Sequence, residues 1–202
     1  MRYYGSRISA PVFFRGDRMV QTIAINGFGR IGRSFLRVML SNTGAQAHTK
    51  IAAINIGSAD PEMLPLLIMH DSVMGTFSKH VSYSNGMLTI GNQSIAVITE
   101  TDPSLIDWRQ YNIDWIVESS GHFTSRARAF IHCTSGAKKV LITAPSIDAD
   151  ITIIPGVNTS AYDPTKHTIV SLGSCTTNCF APIIKALDDS FELTSGYMTT
   201  VH

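Results

Sequence analysis

Gly27-Phe28-Gly29-Arg30-Ile31-Gly32 directly follows a short apolar run, Thr22–Asn26, and opens a segment whose apolar residues recur at helical spacing. In this GxGxxG pattern the first glycine permits a tight turn and the second lets the backbone approach a pyrophosphate. The third glycine lets helix and strand pack closely, and the helix N-terminus offers free N–H groups and a partial positive charge to phosphates. The three spacings and both flanking elements together predict a dinucleotide-binding turn.

Outward from this turn, the chain alternates between strand and helix. The helix from Arg30 to about Ser41 carries Ile31, Phe35 and Val38 at helical spacing, a face that can pack on a sheet. Further strands are predicted at Ile51–Asn55, Met87–Ile90, Ser94–Ile98, Trp115–Glu118 and Val140–Thr143. Such alternation implies parallel strands joined by right-handed crossovers, which is a doubly wound α/β (Rossmann) sheet.

Turn and helix signals lie between these strands. Ser84-Asn85-Gly86 and Gly91-Asn92 predict turns that join short antiparallel strands, and Pro61 fits the first turn of a short helix. A helix over Ser125–Ser135 is predicted to stop at Gly136. The residues expected on its apolar side are Ala127, Phe130, Ile131 and Thr134.

Composition excludes several classes of function. A net charge of +1 gives no electrostatic reason to expect nucleic acid or an anionic membrane as a partner. No apolar run approaches the roughly 20 residues of a membrane span. An odd number of cysteines without regular spacing favours a reducing compartment, so we expect a cytoplasmic protein.

The arginine-containing stretch Met1–Arg18 faintly resembles a transit peptide, but Met19 would make a natural start, and we expect 1–18 to be a disordered extension without a chemical role.

One feature of a dinucleotide site is missing. A carboxylate is expected about 20 residues beyond the glycines, where it would bind the adenosine ribose hydroxyls. The sequence there is Asn55-Ile56-Gly57-Ser58. Without the acid nothing at Ile56 repels a 2′-phosphate, and although Ser58 could hydrogen-bond one, no Arg or Lys stands nearby to neutralise it. The site is therefore predicted to admit NAD or NADP.

A second candidate site centres on Ser174-Cys175-Thr176-Thr177-Asn178-Cys179, just before Pro182. Because proline is tolerated only in the first turn of a helix, a helix is predicted to begin shortly before Pro182, with Cys175 at its N-terminus. There the helix dipole and unpaired N–H groups favour a nucleophilic thiolate. Cys179 is expected to pack as a small apolar residue and Cys133 to be structural.

A histidine follows this helix at some distance. Gly196 precedes a predicted strand, Tyr197–His202, and a strand returning antiparallel to the helix can bring His202 beside the helix start as a Cys–His pair. A histidine at a chain end is more often merely solvated, and spacing alone leaves both interpretations open.

The order and spacing of six stretches carry a family resemblance: Asn26–Gly32, Asp71–Gly75, Glu118–Gly121, Ala144-Pro145, Ser174–Cys179 and Thr199–His202. They resemble the phosphorylating glyceraldehyde-3-phosphate dehydrogenases, and the similarity extends from Val20 to His202. The Ser-Cys-Thr-Thr-Asn-Cys string is close to diagnostic, whereas the glycine motif alone is not.

This resemblance implies a role for each matching residue. Cys175 would be the nucleophile and His202 the base that activates it. Ser174 and Thr176 would help to bind phosphate, and no metal is expected. The implied cofactor-binding residues are Gly27, Phe28, Gly29, Arg30, Ile31, Gly32, Asn55, Ile56, Ser119, Ser120, Gly121 and Thr143.

The sequence departs from the family at three places near the cofactor. Ile56 replaces the usual Asp, Thr101 stands where an Arg commonly flanks the adenine, and Val73-Met74 replaces Thr-His. These changes bear on adenine-side affinity and on cofactor preference rather than on the chemistry.

The implied activity is glycolytic or gluconeogenic oxidation and phosphorylation of glyceraldehyde 3-phosphate by NAD(P), with inorganic phosphate as co-substrate and a homotetramer as the complete protein. Erythrose-4-phosphate dehydrogenase is the nearest alternative, since it shares the fold and the Cys–His pair. The semialdehyde dehydrogenases are more distant because they lack the Ser-Cys-Thr-Thr-Asn-Cys context. A non-catalytic dinucleotide-binding fragment is an alternative of another class.

Two domains are expected. The strand–helix alternation ends near Asp148, where we expect the binding sheet to close; the dinucleotide-binding domain is assigned to 19–173 and the start of an α+β catalytic domain to 174–202. Because the family continues beyond the residue that matches His202, the 202-residue chain by itself is expected to be inactive.

Overall fold

The computed structural model describes residues 20–201. The extension 1–18, the possible start at Met19 and the implied base His202 therefore lie outside the described residues. None of the helices in the described part is long and apolar enough to cross a membrane.

The described chain contains eleven strands and six α-helices. The strands are β1 (Gln21–Asn26), β2 (Thr49–Asn55), β3 (His70–Asp71), β4 (Gly75–Thr76), β5 (Val81–Ser84), β6 (Met87–Ile90), β7 (Gln93–Ile98), β8 (Trp115–Glu118), β9 (Lys139–Ile142), β10 (Ile151–Thr152) and β11 (Ile169–Ser171). The helices are α1 (Arg30–Ser41), α2 (Thr43–Gln46), α3 (Leu64–Met69), α4 (Arg126–Ala129), α5 (Ile131–Thr134) and α6 (Cys175–Phe191), with short 3₁₀ turns between them.

Nine strands form one sheet in the order β10-β11-β9-β8-β1-β2-β7-β6-β5. Pairing is parallel from β10 to β7 and antiparallel for β7-β6 and β6-β5. The chain leaves β1 towards β2 and β7 and then returns to β8 on the other side, so the strand order reverses between β1 and β8. Ligands of doubly wound sheets bind at this switch point, at the carboxyl ends of the strands. The predicted α/β sheet is confirmed.

Both sheet faces are buried, as parallel sheets require. Ile23 and Ile25 belong to one apolar cluster and Ala24 to the other, because successive side chains of a strand point to opposite faces. The Asn85-Gly86 turn joins β5 to β6 with both residues at positive φ, the geometry that a two-residue hairpin needs.

The predicted apolar face of α1 is wrong. Ile31 and Val38 are 55% and 45% exposed, and only Phe35 packs in part against the core. The residues that α1 buries are instead Gly32, Leu36, Arg37, Met39 and Leu40. The close approach of Gly32 to the preceding turn fixes this rotation of the helix.

The single helix predicted over Ser125–Ser135 is also wrong. Two short helices, α4 and α5, meet at Phe130, and Ala127, Phe130 and Thr134 of the predicted apolar side are exposed. The core instead receives Ala129 and His132. Gly136 does end α5, at φ +114, where a Cβ would overlap Arg109.

The sheet does not close near Asp148, as the sequence suggested. After that residue the chain adds Ile151–Thr152 and Ile169–Ser171 to the sheet, both in parallel pairing. These strands are two and three residues long, too short for a pattern of apolar residues to identify.

The helix at Cys175 begins where predicted, but the reasoning from Pro182 does not hold. Pro182 lies well inside α6, past its first turn. No α6 residue is buried, so a kink of the helix at Pro182 disturbs no packed side chains. The strand predicted over Tyr197–His202 is absent from its described part, 197–201, because none of the sheet strands pairs with it.

Candidate functional site

A cavity of about 360 Å³ opens at the carboxyl ends of β1, β2 and β8. It is lined by Asn26, Gly27, Phe28, Gly29, Asn55, Ile56, Gly57, Ser58, Glu100, Thr101, Ser119, Ser120, His122 and Phe123. Because these strands flank the switch point of the sheet, the cavity lies where a doubly wound fold binds its ligand.

The three glycines of the turn do different things. Gly27 has φ +90, and a Cβ there would overlap the backbone of Ser120. A Cβ on Gly32 would overlap the carbonyl oxygen of Gly27, so this glycine lets α1 approach the turn. Beside Gly29, in contrast, a Cβ would meet nothing within 4 Å. The open space at Gly29 is what a phosphate-binding backbone needs.

The N-terminus of α1 is built to accept an anion. Its N-cap residue, Gly29, provides no side-chain hydrogen bond, and the first turn carries no acidic residue. The first N–H groups of this twelve-residue helix therefore have no capping side-chain oxygen, and the N-cap Gly29 itself lines the cavity. The cradle fits a dinucleotide pyrophosphate.

Asn55 holds the cavity wall at the end of β2. Its Nδ2 donates to the carbonyl oxygen of Glu100 (2.8 Å) and to Asn26 Oδ1 (2.7 Å), and its Oδ1 accepts the Glu100 N–H (3.0 Å). The next residue, Ile56, is buried and donates its N–H to the Ile98 carbonyl oxygen. No acidic side chain therefore occupies the end of β2.

The opposite wall depends on Glu118, the last residue of β8. Its Oε2 accepts from Asn26 Nδ2 (2.6 Å), and its Oε1 accepts from both the N–H (2.8 Å) and the hydroxyl (2.5 Å) of Ser120. Ser119 Oγ donates to the Gly27 carbonyl oxygen (2.6 Å). The loop after β8 is thus tied to the glycine turn.

The structure brings together seven of the twelve predicted cofactor residues as cavity lining: Gly27, Phe28, Gly29, Asn55, Ile56, Ser119 and Ser120. Arg30 and Ile31 are exposed at the start of α1, and Gly32 packs beneath the turn. Gly121, at φ +78, follows the lining serines, and Thr143 donates its N–H to the carbonyl oxygen of Glu118 behind them.

Three lining residues were not singled out from the sequence: Glu100, His122 and Phe123. Each follows the end of a sheet strand, and that position in a parallel sheet is the signal that could have found them. The same signal could have identified the buried residues Asn26 and Glu118, because each is a polar residue at the end of a sheet strand.

Cys175 is the first residue of α6. The N-cap residue Ser174 accepts the Thr177 N–H with its Oγ (2.9 Å), which fixes the start of the helix. Asn178 Nδ2 donates to the carbonyl oxygens of Leu172 (2.7 Å) and Ser174 (2.9 Å). These contacts hold an exposed Cys175 at the positive end of a seventeen-residue helix. Thr177 and Asn178 belong to the recognised string, but no role was predicted for them.

Residues 197–201 lie against this helix start. Together with Thr176, Cys179 and Phe180 they line an open cavity of about 470 Å³. Cys179 was expected to pack as a small apolar residue and is exposed instead, because α6 buries no side chain. His202 lies outside the described residues, so its proximity to Cys175 stays a prediction.

Cys133 differs from both other cysteines. It is half-buried in α5, and burial, followed by the charge of Asp150, raises the pKa of its thiol to about 11. A thiol of that pKa is almost entirely protonated near neutral pH and is therefore a poor nucleophile.

Comparison with known proteins identifies the family of the chain that forms this cavity and carries Cys175. Residues 21–126 match the model of the NAD binding domain of glyceraldehyde 3-phosphate dehydrogenase. The chain belongs to the glyceraldehyde-3-phosphate dehydrogenase family. Residues 174–202 match the C-terminal domain of the same family, so the match includes the Cys175 helix.

Relatives named glyceraldehyde-3-phosphate dehydrogenase share more than two fifths of the aligned residues. The protein of Priestia megaterium is 44% identical over 91% of this chain and 53% of its own length. Glyceraldehyde-3-phosphate dehydrogenase 2 of Streptomyces avermitilis is 42% identical over 91% of this chain and 54% of its own length. The chain spans about half the length of the curated relatives it matches.

Proposed function

We propose that the protein of which this chain forms at least a part oxidises and phosphorylates glyceraldehyde 3-phosphate to 1,3-bisphosphoglycerate, in glycolysis or gluconeogenesis. The observation that carries the proposal is the position of Cys175, exposed as the first residue of α6, in a chain that also has an uncapped glycine cradle. A thiolate and a dinucleotide site together are what a thioester-forming aldehyde dehydrogenase needs.

In the proposed mechanism His202 takes the thiol proton of Cys175, the thiolate attacks the aldehyde carbon, and His202 returns the proton to the new alkoxide, which gives a hemithioacetal. His202 takes the hydroxyl proton as hydride leaves that carbon, and a thioester remains on Cys175. Nicotinamide, when bound, supplies the hydride acceptor. Inorganic phosphate then attacks the thioester, which releases the acyl phosphate and restores the thiolate. Ser174 and Thr176 are proposed to help bind phosphate, beside the helix start.

The proposed cofactor residues are those that resemble the family's, from the glycine turn to Thr143, and both NAD and NADP are admitted. Ile56 supports this breadth, because a buried aliphatic side chain neither binds ribose hydroxyls nor repels a 2′-phosphate. Residues 19–173 are proposed as the dinucleotide-binding domain and 174–202 as the start of the catalytic domain. A cytoplasmic homotetramer is proposed for the complete protein.

Measurement of reduced-dinucleotide formation tests this function. The natural full-length protein is assayed with glyceraldehyde 3-phosphate or erythrose 4-phosphate, each with and without inorganic phosphate. We expect phosphate-dependent turnover that is fastest with glyceraldehyde 3-phosphate and abolished by Cys175→Ser, while Cys179→Ser keeps it. Faster turnover of erythrose 4-phosphate would favour the alternative dehydrogenase, and dinucleotide binding without turnover would favour a non-catalytic binding protein.

A further inference from the structure

Glu118 is a buried carboxylate for which the proposed mechanism has no use. Its side chain is 1% exposed and lies between the cleft loop and the core behind the sheet. Besides Asn26 and Ser120, it contacts His132, whose Nε2 lies 2.9 Å from Glu118 Oε2. His132 is itself fully buried. A buried carboxylate with partners on two sides is a costly feature that requires a reason.

Trp108 determines which ring nitrogen of His132 carries the proton. The indole Nε1 of Trp108 can only donate, and it points at His132 Nδ1 over 3.3 Å. His132 Nδ1 must therefore accept, so the neutral ring carries its proton on Nε2 and donates it to Glu118. Glu118 Oε2 thus receives two hydrogen bonds that cannot reverse, from Asn26 and from His132.

The other oxygen, Oε1, faces the loop. It accepts the Ser120 N–H and hydroxyl, and Ser120 is the residue whose backbone lies against Gly27. The residues on either side of Ser120 belong to the same loop. Ser119 Oγ donates to the Gly27 carbonyl oxygen, and Gly121 turns the chain at φ +78. The chain of contacts therefore runs from the core at Trp108 through His132 and Glu118 to the loop.

We propose that Glu118 is a positioning residue: its carboxylate sets the loop 119–121 for the half of the dinucleotide that carries nicotinamide. The inference rests on the proposed dinucleotide site. In a doubly wound sheet the adenosine half lies over β2 and the pyrophosphate at the start of α1, so the other half extends to β8. Asn55 and Ile56 form the adenosine side, and Ser119 and Ser120 the β8 side.

The substitution Glu118→Gln separates these contacts. If the new amide NH₂ faced Asn26 and His132, it would meet two donors, and His132 cannot change tautomer because Trp108 holds its Nδ1. The NH₂ must therefore face Ser120. The Ser120 hydroxyl can turn to accept it, but the Ser120 N–H then meets a donor, so the loop must move while the core contacts remain.

Calorimetric titration of the natural full-length protein with NAD and, separately, with ADP tests this inference. ADP carries the adenosine and pyrophosphate but lacks the nicotinamide half. For Glu118→Gln we expect the dissociation constant of NAD to rise about tenfold, the size of one or two lost hydrogen bonds, with that of ADP unchanged. Ser120→Ala, which removes one hydroxyl and leaves the buried charge, should raise the NAD constant about threefold. Glu62→Gln, an exposed change of the same chemistry, should alter neither.

An equal loss for NAD and ADP would overturn the inference, because a merely structural role weakens both halves. Unchanged NAD binding in Glu118→Gln would overturn it as well. If Glu118→Gln did not fold, the Ser120→Ala result would decide, since wild-type NAD affinity in that variant contradicts the positioning of the loop. Wild-type protein that bound neither ligand would instead overturn the proposed function itself.

Discussion

Asn55 binds both polar groups of the Glu100 backbone, with its Nδ2 2.8 Å from the carbonyl oxygen and its Oδ1 3.0 Å from the amide nitrogen. The two residues are 45 positions apart: Asn55 ends β2, and Glu100 lies two residues beyond the end of the neighbouring parallel strand β7. This bidentate contact fixes the cavity wall at the end of β2, and a third bond from Asn55 to Asn26 connects that wall to β1.

Asn55→Asp should therefore destabilise the protein and weaken dinucleotide binding. The new carboxylate keeps the acceptor but loses both donated bonds, and it faces the oxygens of Asn26 and Glu100. We expect a loss of about 3 kcal/mol in the free energy of unfolding, the usual size for an uncompensated buried charge. Urea denaturation measures it, and the exposed turn variant Asn92→Asp is the control. A loss as small as that of the control would contradict the conclusion that the hydrogen bonds of Asn55 stabilise the fold.

Gly32→Ala and Gly29→Ala should fail in different ways. A Cβ at position 32 overlaps the Gly27 carbonyl oxygen, so this variant should lose about 2 kcal/mol of stability from overpacking. A Cβ at position 29 meets nothing, so that variant should keep its stability but bind NAD several-fold more weakly, because the methyl group enters the phosphate cradle. Thermal denaturation and calorimetry separate the two, and equal behaviour of the variants would refute the division of roles.

Ile56→Asp should shift cofactor preference towards NAD. A carboxylate at the end of β2 can bind ribose hydroxyls and repel a 2′-phosphate, which the buried isoleucine cannot do. We expect the wild type to discriminate weakly and the variant to bind NADP at least tenfold less tightly than NAD, since two unit charges about 8 Å apart suffice at an effective dielectric constant of about 20. If the wild type already rejected NADP and the variant changed nothing, another group would set the preference.

Much of this fold could be predicted from local pattern. The glycine turn identified β1 and α1 because its three spacings have separate steric reasons, each visible in the sequence. The faces of α1 and α4–α5 could not be predicted, since apolar residues lie on both sides of these helices and contacts distant in sequence choose between them. Phe130 is exposed whereas His132 is fully buried, the reverse of what hydrophobicity alone favours.

The candidate site, like the fold, could be predicted only where a local sequence pattern encodes it. Cys175 was placed at a helix start by a short string, and Ser174 caps that helix through a contact three residues away. The network of Asn26, Asn55 and Glu118 joins residues up to 92 positions apart, and no local pattern encodes such pairings. Cys179 was misplaced because burial of a helix face depends on what packs against it.

Cysteine alkylation should follow both helix position and burial. With substoichiometric iodoacetamide at neutral pH, we expect Cys175 to be labelled first and Cys133 last, because burial raises the pKa of Cys133 to about 11. The rate at Cys133 should therefore keep increasing with pH up to about that value. Peptide mapping measures the order, with Cys179 as the exposed internal control. Preferential labelling of Cys133 would show that its thiol is not held in the protonated form.

The central claim is that Cys175 carries the substrate as a thioester. Intact full-length protein is mixed with NAD and glyceraldehyde 3-phosphate in the absence of inorganic phosphate, quenched in acid and digested for mass spectrometry. Without phosphate the second half of the reaction cannot proceed, so the acyl group should accumulate on the peptide that contains Cys175 and disappear when phosphate is added before the quench. An acyl group on Cys133 or Cys179 instead, or none on any cysteine while reduced NAD is formed, would contradict the account.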